Sequence, residues 1–161
     1  MKPSRKARPM NDVEFTRALE RGEIANENFR HTAHLHVACV YLSESSSVDG
    51  AAAKMCATLR KFAASAGKPE KYHETITLFW VRLLAHARAI ASKESLEKVV
   101  EANPQLLEKD FPFAYYSRER LFSENARTKW MEPDLRPLSA DAIAPCSSRP
   151  PGNAPNRALS R

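Results

Sequence analysis

Two apolar rows run side by side along residues 69–91. One consists of Tyr72, Ile76, Phe79, Leu83 and Ile90; the other consists of Trp80, Leu84 and Ala87 and begins with His73. Residues three and four apart share a helix face, so this spacing predicts a helix. Two adjacent rows make its apolar face too wide for a single neighbour to cover. Such a helix belongs at the centre of a bundle, with other helices on both sides. Pro69 suits its first turn, where a missing N–H costs nothing.

The rest of the chain agrees. Only Gly22, Gly50 and Gly67 precede the last 23 residues, and Ala, Leu, Glu, Lys and Arg abound. That balance favours helices over a turn-rich β fold. Asn11 followed by Glu14 reads as a capping box, with Phe15, Ala18 and Leu19 as a stripe and Gly22 as a stop. A second helix is expected from about Asn28 to Ser43, with His31, His34, Leu35, Ala38 and Leu42 inward. A third should run from Val48 to Ala66, with Met55, Leu59 and Phe62 on one face, ending at Gly67. A fifth covers about Ser95–Ala102. Short helices should start at Ser117 and Ser123, and Pro133 and Pro137 keep Trp130–Leu138 extended. The expected fold is all-α, a bundle of four to five main helices with an irregular C-terminal extension.

Charge divides the chain further. The net charge is +6, which alone would suggest nucleic acid. Lys2, Arg5, Lys6 and Arg8 sit at one end, and Arg149, Arg157 and Arg161 against Asp141 at the other, leaving residues 10–138 neutral. The expected organisation is a flexible basic leader (1–10), a helical domain (11–138) and a disordered Pro/Ser-rich tail (139–161). Nucleic-acid binding is therefore not expected of the folded body. Cys39, Cys56 and Cys146 form no CxxC spacing and imply no disulfide framework. The apolar run Ile76–Val81 is cut by Arg82, far short of a membrane span. No apolar segment follows the basic start, so a cytoplasmic protein is expected.

The candidate site comes from topology. If the second, third and fourth helices run up, down and up, the second and fourth start at the same end. That would bring His31 and His34 into one layer with Tyr72, His73 and Glu74. His36 lies about 200° around the helix from His34 and points elsewhere. A helix N-terminus disfavours imidazolium, and a neutral imidazole can bind metal or accept a proton. His31, His34 and His73 with a carboxylate or water would suit Zn²⁺ or Fe²⁺. Against this, HExxH is absent, and so is the paired Glu-x-x-His pattern of di-iron bundles. Two other uses of the same residues are metal-free acid–base work and plain structural hydrogen bonding to backbone or Tyr72. A second cluster, Arg118 and Arg120 at a helix start, could hold an anion, or could pair within the chain with Glu119, Glu124, Glu132 or Asp134. Phe79, Trp80, Trp130, Phe111 and Phe113 read as core.

Four blocks carry a resemblance. They are Phe29–Leu35 (FRHTAHL), Lys71–Thr77 (KYHETIT), Tyr116–Leu121 (YSRERL) and Pro133–Leu138 (PDLRPL). The chain resembles, over roughly residues 13–138, a group of small bacterial proteins of unknown function. The resemblance implies a bacterial helical protein and marks the positions that the topology selects; it implies no activity. The expected function is that of a small metal- or ligand-binding helical protein, catalytic or not, with a histidine-centred site at one end of the bundle. The alternative is a non-catalytic interaction module whose basic tails contact nucleic acid or an acidic protein partner.

Overall fold

The structure, a computed structural model, describes residues 10–90 and 95–138, apart from the Ile90 side chain. The expected tail, most of the expected leader and Cys146 lie outside the described residues. Within them are seven α-helices and no strand: α1 (Asp12–Glu20), α2 (His31–Glu44), α3 (Val48–Ser65), α4 (Glu74–Ile90), α5 (Leu96–Ala102), α6 (Arg118–Leu121) and α7 (Glu124–Thr128). The fold is all-α.

Local chemistry sets most of the boundaries. The Asn11 side chain accepts from the Glu14 N–H at 2.9 Å, and the Glu14 carboxylate accepts from the Asn11 N–H at 3.1 Å, which closes the capping box of α1. The Ser47, Ser117 and Ser123 side chains cap α3, α6 and α7 by accepting the N–H three residues on. Helices α1 and α3 end on Gly22 (φ 75) and Gly67 (φ 70). In each case the next residue's N–H bonds back to a carbonyl deep in the last turn: Glu23 to Ala18 and Lys68 to Ala63, both at 2.9 Å. A side chain in this left-handed conformation would be strained, so glycine sits there.

Two boundaries differ from expectation. Helix α2 starts at His31, not near Asn28, because Asn26–Asn28 forms a separate 3-10 turn and Arg30 is extended. The intervening Phe29 is buried against the core. Likewise Pro69–Lys71 is its own 3-10 turn, Tyr72 is extended, and α4 begins at Glu74. Tyr72 and His73 thus precede the central helix; they are not part of it. Proline's fixed φ suits a 3-10 turn as well as an α-helical one.

Helix α4 is the centre. It packs against α2, α3, α5 and α7, while α3 also packs on α2 and α1. Phe79, Leu83 and Leu84 are fully buried on it, with Val81 and Ala87 almost so. Helix α2 buries Leu35, Val37, Ala38, Val40 and Tyr41, a wider face than the expected stripe. The segment from Phe111 onward closes the far side. Tyr115 and Tyr116 are fully buried against Phe79, with ring centroids at 5.3 and 6.0 Å. Residues 131–138 are non-helical, bend at 134–136, and are tied down by Leu135 N–H to Tyr115 carbonyl (2.9 Å), by the Tyr116 hydroxyl to the Met131 carbonyl (2.7 Å) and by Ser117 N–H to Asp134 (2.8 Å). No helix among the described residues is long and apolar enough to cross a membrane.

Candidate functional site

The start of α2, the end of α3 and the start of α4 meet at one end of the bundle, as the up-down-up topology requires. They enclose a cavity of about 540 Å³. His31, His34, Tyr72 and His73 all line it. Its deep wall is apolar: Ala38, Met55, Leu59 and Val81 are buried, and Phe62, Ile76 and Trp80 lie above them half-buried. Arg30, Lys68, Lys71 and Lys109 line its exposed mouth. Among the described residues no carboxylate lines it.

The three imidazoles have different surroundings. His73 is spent on structure. Its Nε2 bonds the Leu121 carbonyl at 2.7 Å, and its Nδ1 accepts the Ile76 N–H at 3.2 Å. It therefore caps α4 and ties that helix to α6, with both nitrogens occupied. A ring that donates from one nitrogen and accepts at the other is neutral. Burial lowers its pKa, and the Leu121 carbonyl opposes this less strongly.

His31 is half committed. Its Nε2 bonds the Leu106 carbonyl at 2.8 Å, and its ring meets Trp80 edge-on at 4.5 Å. Burial lowers its pKa, and the nearby Lys109 ammonium adds to that. His34 is the most perturbed. It stacks on Phe29, centroids 3.9 Å apart and planes 15° apart, and Phe29 in turn meets Phe62 at 4.9 Å. Burial, then His31, then Lys109 push its pKa down to about 4, while the Phe29 backbone pulls the other way. At neutral pH it is an uncharged ring on the cavity wall.

Glu74 does not join this layer. Its carboxylate accepts from the Tyr72 hydroxyl and from Arg60 (2.6 Å), and the Arg60 guanidinium lies 5.1 Å from the centre of the Tyr72 ring. The Cys56 thiol sits beside this group, and burial raises its pKa. The Tyr72 phenol is likewise pushed up by burial and then by Cys56 and Glu74. Tyr72 thus faces the cavity with a hydroxyl already committed to a neighbouring carboxylate.

Of the expected anion pair, Arg120 donates Nε–H to the Glu132 carbonyl at 2.6 Å, and Arg118 lies over the Phe113 ring at 4.6 Å. These contacts fasten the C-terminal extension. Neither arginine lines the cavity. Trp80, expected as core, packs half-buried against the core and also forms a wall of the cavity.

His36 points away from this end, as its angular position requires. Its Nδ1 pairs with Asp12 at 2.9 Å, and Glu97 of α5 approaches both. One ligand atom from each of Asp12, His36 and Glu97 lies within 4.8 Å of the others. Sequence reasoning could not find this group, because its members are far apart in the chain. The cavity's cationic mouth was hidden for the same reason: Lys109 joins it from beyond α5. No protein-family model, curated protein or solved structure matches the chain.

Proposed function

We propose that this protein binds a small organic molecule in the cavity at the end of the bundle, with the neutral His34 ring as its polar anchor. The observation that carries this is the cavity itself. It is within the size range of small-molecule sites, mostly apolar inside, and has a few polar groups converging on it. A packed bundle end would fill such a space with side chains. His34 can accept a hydrogen bond or a proton from a bound molecule, so any catalytic use would run through it as a base. Metal held by His31, His34 and His73 fits less well. His73 has no free nitrogen, His31 has one engaged, and among the described residues no carboxylate lines the cavity with them.

The test uses a neutral apolar dye, N-phenyl-1-naphthylamine, whose fluorescence rises in an apolar site. The full chain should bind it saturably. Ala63→Trp, which puts a large ring into the cavity from α3, should abolish binding and leave the helical circular dichroism intact. Binding unaffected by Ala63→Trp would place the dye elsewhere and refute the reading.

Metal binding has one specific observation in its favour, the Asp12, His36 and Glu97 group on three different helices. An imidazole with two carboxylates is a ligand set that first-row divalent ions accept. Zn²⁺ bound there would raise the melting temperature, and His36→Ala would remove the rise. An equal rise in the variant excludes this group.

A further inference from the structure

The mouth of the cavity has a chemical bias that its interior lacks. Arg30, Lys68, Lys71 and Lys109 all line it, and all four are exposed. They come from three separate stretches of chain: the residue before α2, the turn between α3 and α4, and the loop after α5. The neutral balance of residues 10–138 means that this clustering is local; the described domain as a whole has no cationic excess. Arg30 Nε donates to the Glu27 carbonyl, an uncharged partner, which leaves its charge uncompensated by that contact. The Lys109 charge reaches inward far enough to act on both His31 and His34.

The backbone adds to the same bias. Helix α2, fourteen residues long, starts at this mouth, and its N-cap Arg30 gives no side-chain cap. Its first N–H groups and the positive end of its dipole therefore lie beside the cationic rim. The rest of the wall is largely apolar, with Phe62, Ile76, Trp80, Leu59 and Met55 half-buried or buried.

Resting on the binding reading above, we infer that the ligand is an amphipathic anion: an aromatic or aliphatic body that fills the apolar depth, carrying a carboxylate, sulfonate or phosphate that stays at the mouth among Arg30, Lys68, Lys71 and Lys109. A neutral apolar molecule would fill the depth and leave the cations unused. A cation would be repelled by them. A large polar anion such as a nucleic acid could touch the rim but would leave the apolar depth empty.

The test compares two dyes of one ring skeleton. N-phenyl-1-naphthylamine is neutral; 8-anilinonaphthalene-1-sulfonate adds one negative charge. An exposed cation beside a bound charge is worth roughly two- to fivefold in affinity, so several together should make the sulfonate at least about tenfold tighter at low salt. The triple variant Lys68→Gln, Lys71→Gln, Lys109→Gln should remove most of that preference while keeping the neutral dye's affinity within about twofold. Raising the salt should do the same to the parent, because exposed charges are screened. Equal affinity for the two dyes, or a preference that survives both the triple variant and high salt, overturns the inference and leaves the binding reading standing. Failure of both dyes to bind, or binding that Ala63→Trp does not block, overturns the binding reading and the inference with it.

Discussion

Acid should weaken this fold through His34. The ring's pKa falls from the ordinary 6.5 to about 4 in the folded protein. Between those values the unfolded chain binds a proton that the folded chain refuses, so stability rises with pH across the window. The contribution is complete above 6.5, is lost as pH falls toward 4, and does not change further below. The two values lie about 2.5 pH units apart, and each unit is worth roughly 1.4 kcal/mol. Acidification from pH 7 to 4.5 crosses most of that interval. His34 lines a cavity that water can enter, so roughly 2 kcal/mol is the expected loss rather than the full product. Carboxylates titrate over the same range, so the measurement must be differential. Urea unfolding at pH 7 and 4.5 would be compared for the parent and for His34→Gln, which cannot titrate there. The parent should lose about 2 kcal/mol more than the variant. Direct observation of the ring by proton–carbon NMR should give a midpoint well under 6. Equal losses in the two proteins, or a His34 midpoint above 6, would refute the assignment of this ring as a desolvated neutral base.

Three other outcomes follow from the same geometry. His73→Ala removes the α4 cap and leaves the Leu121 carbonyl without its partner, so urea unfolding should show a loss of about 2–3 kcal/mol, part of which His73→Asn restores by capping alone. Phe79→Ala empties the most central side chain of α4 and should cost about 3–5 kcal/mol by the same measurement, enough to leave the chain mostly unfolded at moderate urea. Affinity for the naphthalene sulfonate should rise as pH falls from 7 toward 5, since burial sets most of the depression of the His34 pKa but an anion near Lys109 offsets the smaller part that this ammonium adds; isothermal titration in two buffers of different ionisation enthalpy should show proton uptake, and uptake of none would mean that the anion and His34 do not communicate.

The features legible in the sequence share one property: their partners are near in the chain. The Asn11–Glu14 box, the serine caps at 117 and 123 and the glycine stops at 22 and 67 each involve residues within five positions of one another. The central helix was legible because its two apolar rows are periodic. The convergence of His31, His34, Tyr72 and His73 on one end needed only the assumption of alternating helix direction. What could not be read were contacts set by how distant segments lie on each other. His73 bonds a residue 48 positions away and His31 one 75 positions away. These bonds decide which imidazoles are free, and no local pattern encodes them. Glu74 illustrates the same limit. It follows His73 directly, yet α4 begins at Glu74, and its carboxylate turns to Arg60 of α3 instead of the cavity.

The division among the histidines explains how a bundle can keep an open end. Opening a cavity of this size beside the core removes packing that would otherwise hold α2, α3 and α4 together. Two of the three imidazoles compensate by reaching over to carbonyls of later segments, His31 to Leu106 and His73 to Leu121. Each such bond fixes a helix start to a later segment, the turn after α5 for His31 and α6 for His73, so the walls are held from outside the cavity and not through it. The third ring is positioned locally instead: it stacks on Phe29, whose backbone also acts on it, and Phe29 in turn meets Phe62 edge-on. A neutral imidazole, oriented by aromatic contact and backed by an apolar wall, is then left for whatever enters between the cations of the mouth.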